Sequence, residues 1–141
     1  METTTIEVFS PKDYDAAREL WGRTPGMGLS EADSRERIEA FLARNPGLSF
    51  VARSADGRVV GTVLCGSDSR RGYLYHLAVD GEHRRRGLGQ RLAAAGLAAL
   101  KASGVEKCHL MVIKGNELGA AFWRNNGWKL REDIDLYSKS P

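Results

Sequence analysis

A strand followed directly by a glycine-containing turn and a helix constrains this chain more than any other stretch. Gly72–Val79 alternates aromatic and aliphatic residues, as half-buried strands do, and Arg91–Leu100 consists mostly of strong helix formers. Between them, Asp80–Gln90 is short, basic and contains three glycines, two of which, Gly87 and Gly89, lie directly before the helix. Because the first amides of a helix have no intrahelical partner and carry partial positive charge, this junction predicts an anion-binding site.

The spacing of Gly87 and Gly89 limits which phosphate-binding motif this segment can be. The segment reads Arg84-x-x-Gly87-x-Gly89 and contains no Gly-Lys-Ser/Thr, which excludes a Walker loop. It is also not the first turn of a βαβ repeat, which argues against a dinucleotide fingerprint. A phosphate oxygen can approach the main chain closely at a residue without a Cβ. The alternative is a flexible loop with a solvated charge run. Four basic residues add long-range attraction for a polyanion: His83, Arg84, Arg85 and Arg86.

This spacing resembles the acyl-CoA pyrophosphate loop of the GNAT family of N-acetyltransferases, Gln/Arg-x-x-Gly-x-Gly/Ala. Leu77–Ala78–Val79 stands where the family's central strand pairs with pantetheine. Further along, Asn116-x-x-x-Ala120-x-Phe122-Trp123-x-x-x-Gly127-Trp128 resembles the family's second half. The resemblance covers Ile6 to Tyr137 with its motifs in order. It implies a single domain, residues 1–141, which uses acetyl-CoA and no metal.

The resemblance also implies which residues hold the acyl-CoA. The backbone amide of Leu77 would polarise the thioester carbonyl, and a fixed amide stabilises the charge that grows there. Asn116 would bond the CoA arm, although it also suits a simple helix cap. The implied cofactor-binding residues are Leu77, Ala78, Val79, Arg84, Arg85, Arg86, Gly87, Leu88, Gly89, Gln90, Asn116, Phe122 and Trp123.

Proton transfer on the acceptor side is harder to assign. Direct acetylation needs a neutral amine, whereas a lysine-type amine is charged at neutral pH, with an unperturbed pKa of about 10.4. Strand alternation predicts Tyr73, Tyr75, Leu77 and Val79 on one face, and Leu74, His76 and Ala78 on the other. His76 would be the better base, but this parity turns it away from Tyr75 and favours a packed polar role. The residues assigned to catalysis are Tyr73, Tyr75, Tyr137 and the backbone amide of Leu77.

Two positions depart from the family pattern. Tyr73 stands where some relatives carry a base glutamate, and Trp123 stands where many carry a tyrosine that protonates the leaving sulfur. An indole N–H donates a hydrogen bond but does not release its proton. Water, Tyr137 or Tyr75 remain as alternatives for that role. These departures favour a second hypothesis, a CoA-binding sensor or structural subunit that has lost catalysis.

The glycine-rich link Gly22–Leu29 has two interpretations. It is either a plain connection between two amphipathic helices or, as the resemblance implies, the roof of the acceptor pocket. In the second case its apolar residues form a wall beside the central strand. The implied substrate-binding residues are Trp21, Met27, Leu29 and Tyr73.

Composition limits the remaining functions. A content of 42% hydrophobic and 28% charged residues is typical of globular proteins. The net charge of +3 is too small to demand nucleic acid, and His83–Arg86 lacks interleaved aromatics for base stacking. No apolar run reaches the roughly 20 residues of a membrane span, and Cys65 and Cys108 make neither a disulfide framework nor a zinc motif. We expect a cytoplasmic monomer or homodimer acting on a small-molecule or peptide amine, without nucleic acid or membrane.

The order of the elements predicts an α+β (mixed α/β) fold, and the resemblance implies that it is the GNAT fold. The sheet that this fold implies is twisted and mostly antiparallel, with six to seven strands and about four helices. The resemblance also implies that the sheet splays beside the central strand to admit acyl-CoA. The main signals are a strand at Ile6–Phe9, helices opened by Ser10 and by Ser30-x-x-Asp33, an Asp56–Gly57 hairpin, a strand at Lys107–Ile113, and closing strands at Trp128–Leu130 and Ile134–Ser138.

Overall fold

A five-stranded sheet organises the larger of two structural units. The computed structural model describes residues 3–141, within a chain that divides into Met1–Met111 and Val112–Pro141. The strands lie in the order β1-β2-β3-β4-β5; the first four are antiparallel and β5 joins β4 in parallel. The elements of this unit are β1 (Thr5–Val8), α1 (Tyr14–Gly22), α2 (Arg35–Arg44), β2 (Phe50–Arg53), β3 (Val59–Ser67), β4 (Gly72–Val79), α3 (Leu88–Ala102) and β5 (Cys108–His109).

The second capping signal opens a 3-10 turn rather than α2 itself. Ser30 precedes the turn Glu31–Asp33, and its amide donates to Asp33 Oδ2 at 2.9 Å. The α-helix then begins after Ser34, whose hydroxyl accepts from Arg37 N at 3.3 Å. This extra turn fixes the Asp33 carboxylate close to the sheet.

Trp21 is the centre of the core between the first two helices and the sheet. Its side chain is 1% exposed, and its ring centroid lies 6.3 Å from that of Phe9 and 6.4 Å from that of Tyr14. The indole N–H donates to Thr62 Oγ1 at 2.9 Å. An aromatic side chain of this size contributes more buried area than any other residue type, and its polar atom is satisfied here.

The predicted hairpin between β2 and β3 is confirmed. Ser54 N donates to Arg58 O at 2.9 Å, and Gly57 has a φ of +90°, a conformation that glycine adopts without steric cost. The β2–β3 pairing holds Val51 opposite Thr62. The hairpin thereby brings Thr62 to the middle of the sheet, under Trp21.

One extra residue in β4 interrupts its pairing with β3. Thr62 lies opposite Ala78 and Leu64 lies opposite Tyr75, so one residue of β3 faces two residues of β4, His76 and Leu77. His76 has a φ of +50°. This is a β-bulge, which bends a strand and re-aims the side chains beyond it. The alternation that holds up to Tyr75 therefore does not continue through the second half of β4.

The C-terminal side of the sheet is smaller than predicted. β5 covers Cys108–His109 instead of Lys107–Ile113, and residues 128–141 contain no described strand, so the expected six to seven strands are five in residues 3–141. A strand needs a partner for its backbone groups, and Arg131 instead pairs locally with Asp133 at 2.9 Å. The α+β class and the mostly antiparallel sheet are confirmed.

The second unit contains one helix, α4 (Glu117–Asn125). Asn116 caps it, with its Oδ1 accepting from Gly119 N at 3.0 Å. Trp123 lies against two further rings, with centroid distances of 4.9 Å to Phe122 and 5.4 Å to Trp128. Within residues 3–141, no helix combines the length and the apolar character needed to cross a membrane.

Helix α3 packs closely on β3 through Gly96, which yields a first prediction. A Cβ at Gly96 would lie 2.5 Å from the buried Cys65 Sγ, so Gly96→Ala forces a shift in the core. Overpacking costs about 1–3 kcal/mol and the helix gains about 1 kcal/mol from alanine, so we expect a net loss of up to about 2 kcal/mol in urea unfolding. In a Cys65→Ala background the same change should cost less, and an equal cost in both backgrounds would contradict this packing.

Candidate active site

The turn after β4 presents the open end of a long helix. Gly87, the residue before α3, has a φ of +75°, and Arg85 has a φ of +64°. The first α-helical bond here runs from Arg91 N to Gly87 O at 3.0 Å, so the N-terminus of the helix lies at this turn. The first turn carries no acidic residue. The left-handed Gly87 thus sets the direction in which the chain enters the helix, at the positive end of the helix dipole.

Asp80 anchors this turn to the rest of the unit. Its carboxylate accepts from Arg23 Nη2 at 3.1 Å and from His83 Nδ1 at 2.9 Å, and its amide donates to Val60 O at 2.8 Å. The hydrogen bond from His83, and then the pairing with Arg23, hold the pKa of the Asp80 carboxyl below its ordinary value. The turn therefore starts from a fixed point at the end of β4.

The basic cluster is smaller than the sequence suggested. His83 is 3% exposed and bonded to Asp80, so it does not face an incoming polyanion. Arg84, Arg85 and Arg86 are exposed, and Arg84 Nε donates to Val79 O at 3.1 Å. Attraction for an anion at this turn comes from these three arginines and the backbone.

Beside the turn, the edge of β4 is open. β4 and β5 pair only at Gly72–Cys108 and Tyr73–His109, although β4 continues to Val79. Among the described residues, the later part of β4 has no strand partner on that side. This is the splay that was predicted, and it leaves backbone groups of the strand for an extended ligand. The residues implied there are Leu77, Ala78 and Val79.

The bulge overturns the predicted parity of the strand. Tyr75 and Ala78, which strict alternation separates, both pack on the core cluster beneath α1 and α2. His76 lies on this side too, because its ring centroid is 4.8 Å from that of Trp21. The reason is the extra residue: with two residues of β4 facing one of β3, the alternation shifts by one position.

His76 is held by contacts from three different elements. Its Nε2 lies 2.6 Å from Asp33 Oδ1, in the turn before α2. Its backbone carbonyl accepts from Thr62 Oγ1 at 2.8 Å, and that hydroxyl accepts in turn from Trp21 Nε1. A left-handed conformation at a residue other than glycine persists only where surrounding contacts hold it. The contacts with Asp33, Thr62 and Trp21 hold His76 in this conformation.

A row of half-buried aromatic rings runs along the same side of β4. Phe41 of α2 lies 6.1 Å from Tyr75, Tyr75 lies 6.2 Å from Tyr73, and Tyr73 lies 5.8 Å from His109, measured between ring centroids. Burial, followed by the neighbouring Tyr73, raises the pKa of the Tyr75 phenol. Tyr75 therefore stays protonated at neutral pH and acts as a hydrogen-bond donor or acceptor, not as a base.

The residues expected to form the apolar wall divide into two groups. Met27 and Leu29 are half-buried and pack against the core cluster from the link between α1 and α2. Trp21, in contrast, is 1% exposed and lies inside the core. It supports the wall from below, and its contact with His76 makes it part of the scaffold of that side chain.

Neither thiol is activated. Burial raises the pKa of the Cys65 thiol to about 12, and burial also raises the pKa of Cys108. The thiolate is the nucleophilic form, so both side chains are inert at neutral pH. In the described part of the chain, no group of three or more His, Cys, Asp or Glu side chains is arranged to hold a metal ion.

Four of the predicted site residues belong to the second unit. Asn116 uses its side-chain oxygen as the cap of α4, which is the simpler of its two predicted roles. Phe122 and Trp123 are half-buried on α4, whereas Tyr137 is 90% exposed in the irregular C-terminal segment.

Sequence inspection missed the two partners of His76. Asp33 was recognised only as a capping residue, yet its two oxygens serve two purposes, Oδ2 for Ser30 N and Oδ1 for His76. Thr62 carried no signal beyond β propensity. A threonine in an otherwise apolar run of β3, where a hydroxyl must find a partner, is the one clue that pointed to it.

Comparison with known proteins gives a consistent picture. The family model "Acetyltransferase (GNAT) family" matches residues 14–128. An acetyltransferase of Pectobacterium atrosepticum is 35% identical over 112 residues, 79% of this chain and 78% of that protein. One of Sodalis glossinidius is 31% identical over 134 residues, 95% and 93% of the two chains. The crystal structure of PaiA N-acetyltransferase from Thermoplasma acidophilum in complex with coenzyme A is similar with a TM-score of 0.78 and 25% identity, covering 94% of this chain and 93% of that chain.

Thr62 supports the bulge, and its replacement should be costly. Thr62→Val keeps the shape but leaves Trp21 Nε1 and the His76 carbonyl without their partner. Each buried group left unsatisfied costs about 1–3 kcal/mol, so for the two groups we expect a loss of about 2–6 kcal/mol in urea unfolding. Thr62→Ser, which retains the hydroxyl, is the matched control and should lose less. Equal losses would show that the hydroxyl is not what matters.

Asp80 should make stability depend on pH in a defined direction. Because its pKa is lowered in the folded protein, its contribution is present above the ordinary carboxyl range and is lost as the pH falls through the folded pKa. The stability gap between wild type and Asp80→Asn should therefore be largest near neutral pH and should shrink below about pH 4. Thermal unfolding across pH measures it, with the exposed Glu82→Gln as control. A gap that widens on acidification would contradict the assignment.

Proposed function

The chain belongs to the GNAT family of acetyltransferases, and from that premise we propose that it transfers an acetyl group from acetyl-CoA directly to a primary amine of a small molecule or a peptide. One observation carries the proposal. The N-terminus of α3, with no acidic residue in its first turn, follows a strand whose edge beyond Tyr73 pairs with no other strand within residues 3–141. A long ligand with an anionic end and an amide-containing arm fits this combination.

The pyrophosphate end would be held mainly by the main chain. Backbone amides from about Arg85 to Gln90 would supply the hydrogen bonds, because Gly87 is left-handed and leads directly into the N-terminus of α3. A hydrogen bond to a charged group contributes about 1.5–3 kcal/mol, so a few such bonds supply much of the affinity. The exposed guanidinium groups add steering more than contact. The residues proposed for this role are Arg84, Arg85, Arg86, Gly87, Leu88, Gly89 and Gln90.

The arm would lie along the open edge of β4. Acetyl-CoA supplies an activated acetyl thioester, and the chain has to orient it and stabilise charge on its carbonyl oxygen. We assign the second task to the backbone amide of Leu77, at the bulge. A bulge disrupts the ladder locally, so backbone groups there remain for a ligand. Ala78 and Val79 continue the edge. Asn116, Phe122 and Trp123 are proposed as further contacts of the CoA arm on the strength of the family pattern.

The acceptor amine would approach the side of β4 that carries the aromatic row. Met27 and Leu29 supply apolar surface from the link between the helices, and Trp21 supports them. Tyr73 and Tyr75 supply hydroxyl groups that can order water near the amine, since a neutral phenol both donates and accepts. Tyr137 is retained as a candidate proton donor to the leaving sulfur, beside water itself.

The competing hypothesis is a CoA-binding sensor or structural protein without turnover. It is favoured by the tyrosine and the tryptophan that replace the family's usual base and acid, Tyr73 and Trp123. Release of free thiol from acetyl-CoA, measured across a panel of primary amines and confirmed by the mass of the acetylated product, separates the two. Saturable acetyl-CoA binding with no product from any amine would favour the sensor.

The free thiols and the distribution of basic residues support a proposed cellular location and set of partners. Cys65 and Cys108 are free, as is usual in a reducing compartment, which supports a cytoplasmic location. The burial of His83 removes one member of the basic cluster, which weakens a nucleic-acid role further. A monomer or a homodimer, without a metal, suffices for the proposed chemistry.

The donor assignment predicts a charge effect at Gly87. Gly87→Asp puts a carboxylate beside the proposed phosphate site, while Gly87→Asn gives the same shape without charge; both residues tolerate the left-handed conformation. We expect acetyl-CoA to bind the Asp variant at least about tenfold more weakly than the Asn variant, because a charged hydrogen bond is worth more than the 1.4 kcal/mol that tenfold represents.

Titration calorimetry measures this difference, and raising the salt should narrow it because exposed charges are screened. Ala98→Asp, at an exposed position on the third turn of α3, controls for the added charge alone. Equal affinity of the two Gly87 variants would overturn the assignment of the pyrophosphate to this turn.

A further inference from the structure

His76 and Asp33 form a shielded pair on the side of β4 that we assign to the acceptor. Their side chains are 16% and 11% exposed, so the pair is protected while the ring still reaches solvent. The Asp33 Oδ2 atom accepts from Ser30 N at 2.9 Å, and the backbone carbonyl of Asp33 accepts from Tyr14 Oη at 2.6 Å. Contacts within its own turn and with α1 therefore fix the Asp33 carboxylate independently of its contact with the imidazole.

The hydrogen bond determines which nitrogen of the ring carries the proton. An ionised carboxylate can only accept, so His76 Nε2–H donates to Asp33 Oδ1 and the lone pair of the neutral ring lies on Nδ1. Nδ1 has no hydrogen-bond partner among residues 3–141. A carboxylate in this position fixes the tautomer and the orientation of the ring. The pair thus has the arrangement of a base with an orienting group.

The backbone of His76 is held in an unfavourable conformation to produce this arrangement. A φ of +50° at a residue with a side chain costs about 1–3 kcal/mol. The bulge that contains it shifts the strand's alternation, which brings His76 to the same side as Tyr75. Without the bulge, the imidazole would lie on the opposite face, away from the link between α1 and α2.

These observations converge on proton transfer. Resting on the proposed function, we infer that His76, oriented by Asp33, takes the proton from the acceptor ammonium. The neutral nitrogen forms its bond to the thioester carbonyl carbon as the carbon–sulfur bond breaks. Of the three ammonium hydrogens, one leaves through His76 to solvent, one ends on the departing sulfur, and one stays on the amide. His76 is thereby a catalytic residue, and Asp33 is a positioning residue.

The other ionisable groups around the ring do not compete for this role. On β4, Tyr75 is a phenol whose pKa is raised by burial, so it keeps its proton. On α1, Tyr14 donates to the Asp33 carbonyl, and the guanidinium of Arg35 lies over its ring, 4.9 Å from the centroid, while pairing with Asp15. The carboxylate that faces the imidazole is that of Asp33.

Two substitutions remove the base while respecting the backbone. Asparagine and glycine both adopt the left-handed conformation, so His76→Asn and His76→Gly should fold. We expect kcat/KM for the best amine to fall by about 10²–10⁴-fold in both, with the acetyl-CoA Kd from calorimetry unchanged. Added imidazole should restore part of the activity of His76→Gly. Asp33→Asn should lower kcat/KM less, because the ring remains while the carboxylate that fixes its tautomer and orientation is replaced by an amide.

The basicity of the amine separates proton transfer from a merely structural role. A fluorine next to the amino-bearing carbon lowers the amine's pKa, so more of it is neutral without help. The loss caused by His76→Asn should therefore shrink for the fluorinated analogue and should also shrink as the pH rises. A structural defect would lower the rates of both amines equally at every pH, and that result would overturn the inference.

The ring itself offers a readout that does not need turnover. In wild-type protein with ¹⁵N-labelled histidine, NMR at neutral pH should show His76 with its proton on Nε2, and Asp33→Asn should alter that signal. A proton on Nδ1 in the wild type would overturn the inference. So would full activity of the folded His76 variants, which leaves the proposed function standing. Absence of product from every amine with wild-type protein, despite acetyl-CoA binding, would instead overturn the proposed function and this inference with it.

Discussion

One extra residue in β4 decides which side chains meet beneath the first two helices. The bulge at His76 and Leu77 is stabilised by a short chain of hydrogen bonds, in which Trp21 Nε1 donates to Thr62 Oγ1 and Thr62 donates to the His76 carbonyl. Each member of this chain is satisfied by the next, so the buried polar atoms cost little. The Trp21 side chain fills the core at the same point. Packing and the unusual backbone therefore support each other.

In the proposed function, strand β4 takes part in recognising both the acetyl-CoA donor and the amine acceptor. Beyond Tyr73 its backbone is open on one side, and after Val79 it runs into the turn that exposes the start of α3. In the proposed function, recognition of the donor would rely mainly on main-chain groups, which depend little on the identity of the side chains. Recognition of the acceptor would rely on side chains from α1, α2 and their link. Changes in that link would then alter the choice of acceptor without disturbing the donor site.

The features that the sequence predicted are those set by neighbouring residues. The helix start after the glycine turn, the Asp56–Gly57 hairpin and the Asn116 cap each depend on a few consecutive positions, and all three were found where expected. The bulge was not predictable in the same way, because no glycine or proline marks it and it arises from the pairing with β3. The contact between His76 and Asp33 joins residues 43 positions apart. Alternation alone put His76 on the wrong face, and the closing strands were expected from β propensity in residues that form no strand among those described.

The cost of holding His76 bears on whether the chain is an enzyme or only binds acyl-CoA. A binding protein would need the turn before α3 and the open edge of β4, and neither depends on an imidazole. Keeping a side chain at φ +50° costs about 1–3 kcal/mol, and bringing a carboxylate into the core carries a desolvation cost as well. Both destabilising effects occur at the His76–Asp33 pair, in a chain that has Tyr73 where some relatives carry a base glutamate. The proposed role of His76 as the base would explain why this pair is kept, whereas binding of acyl-CoA alone does not require it.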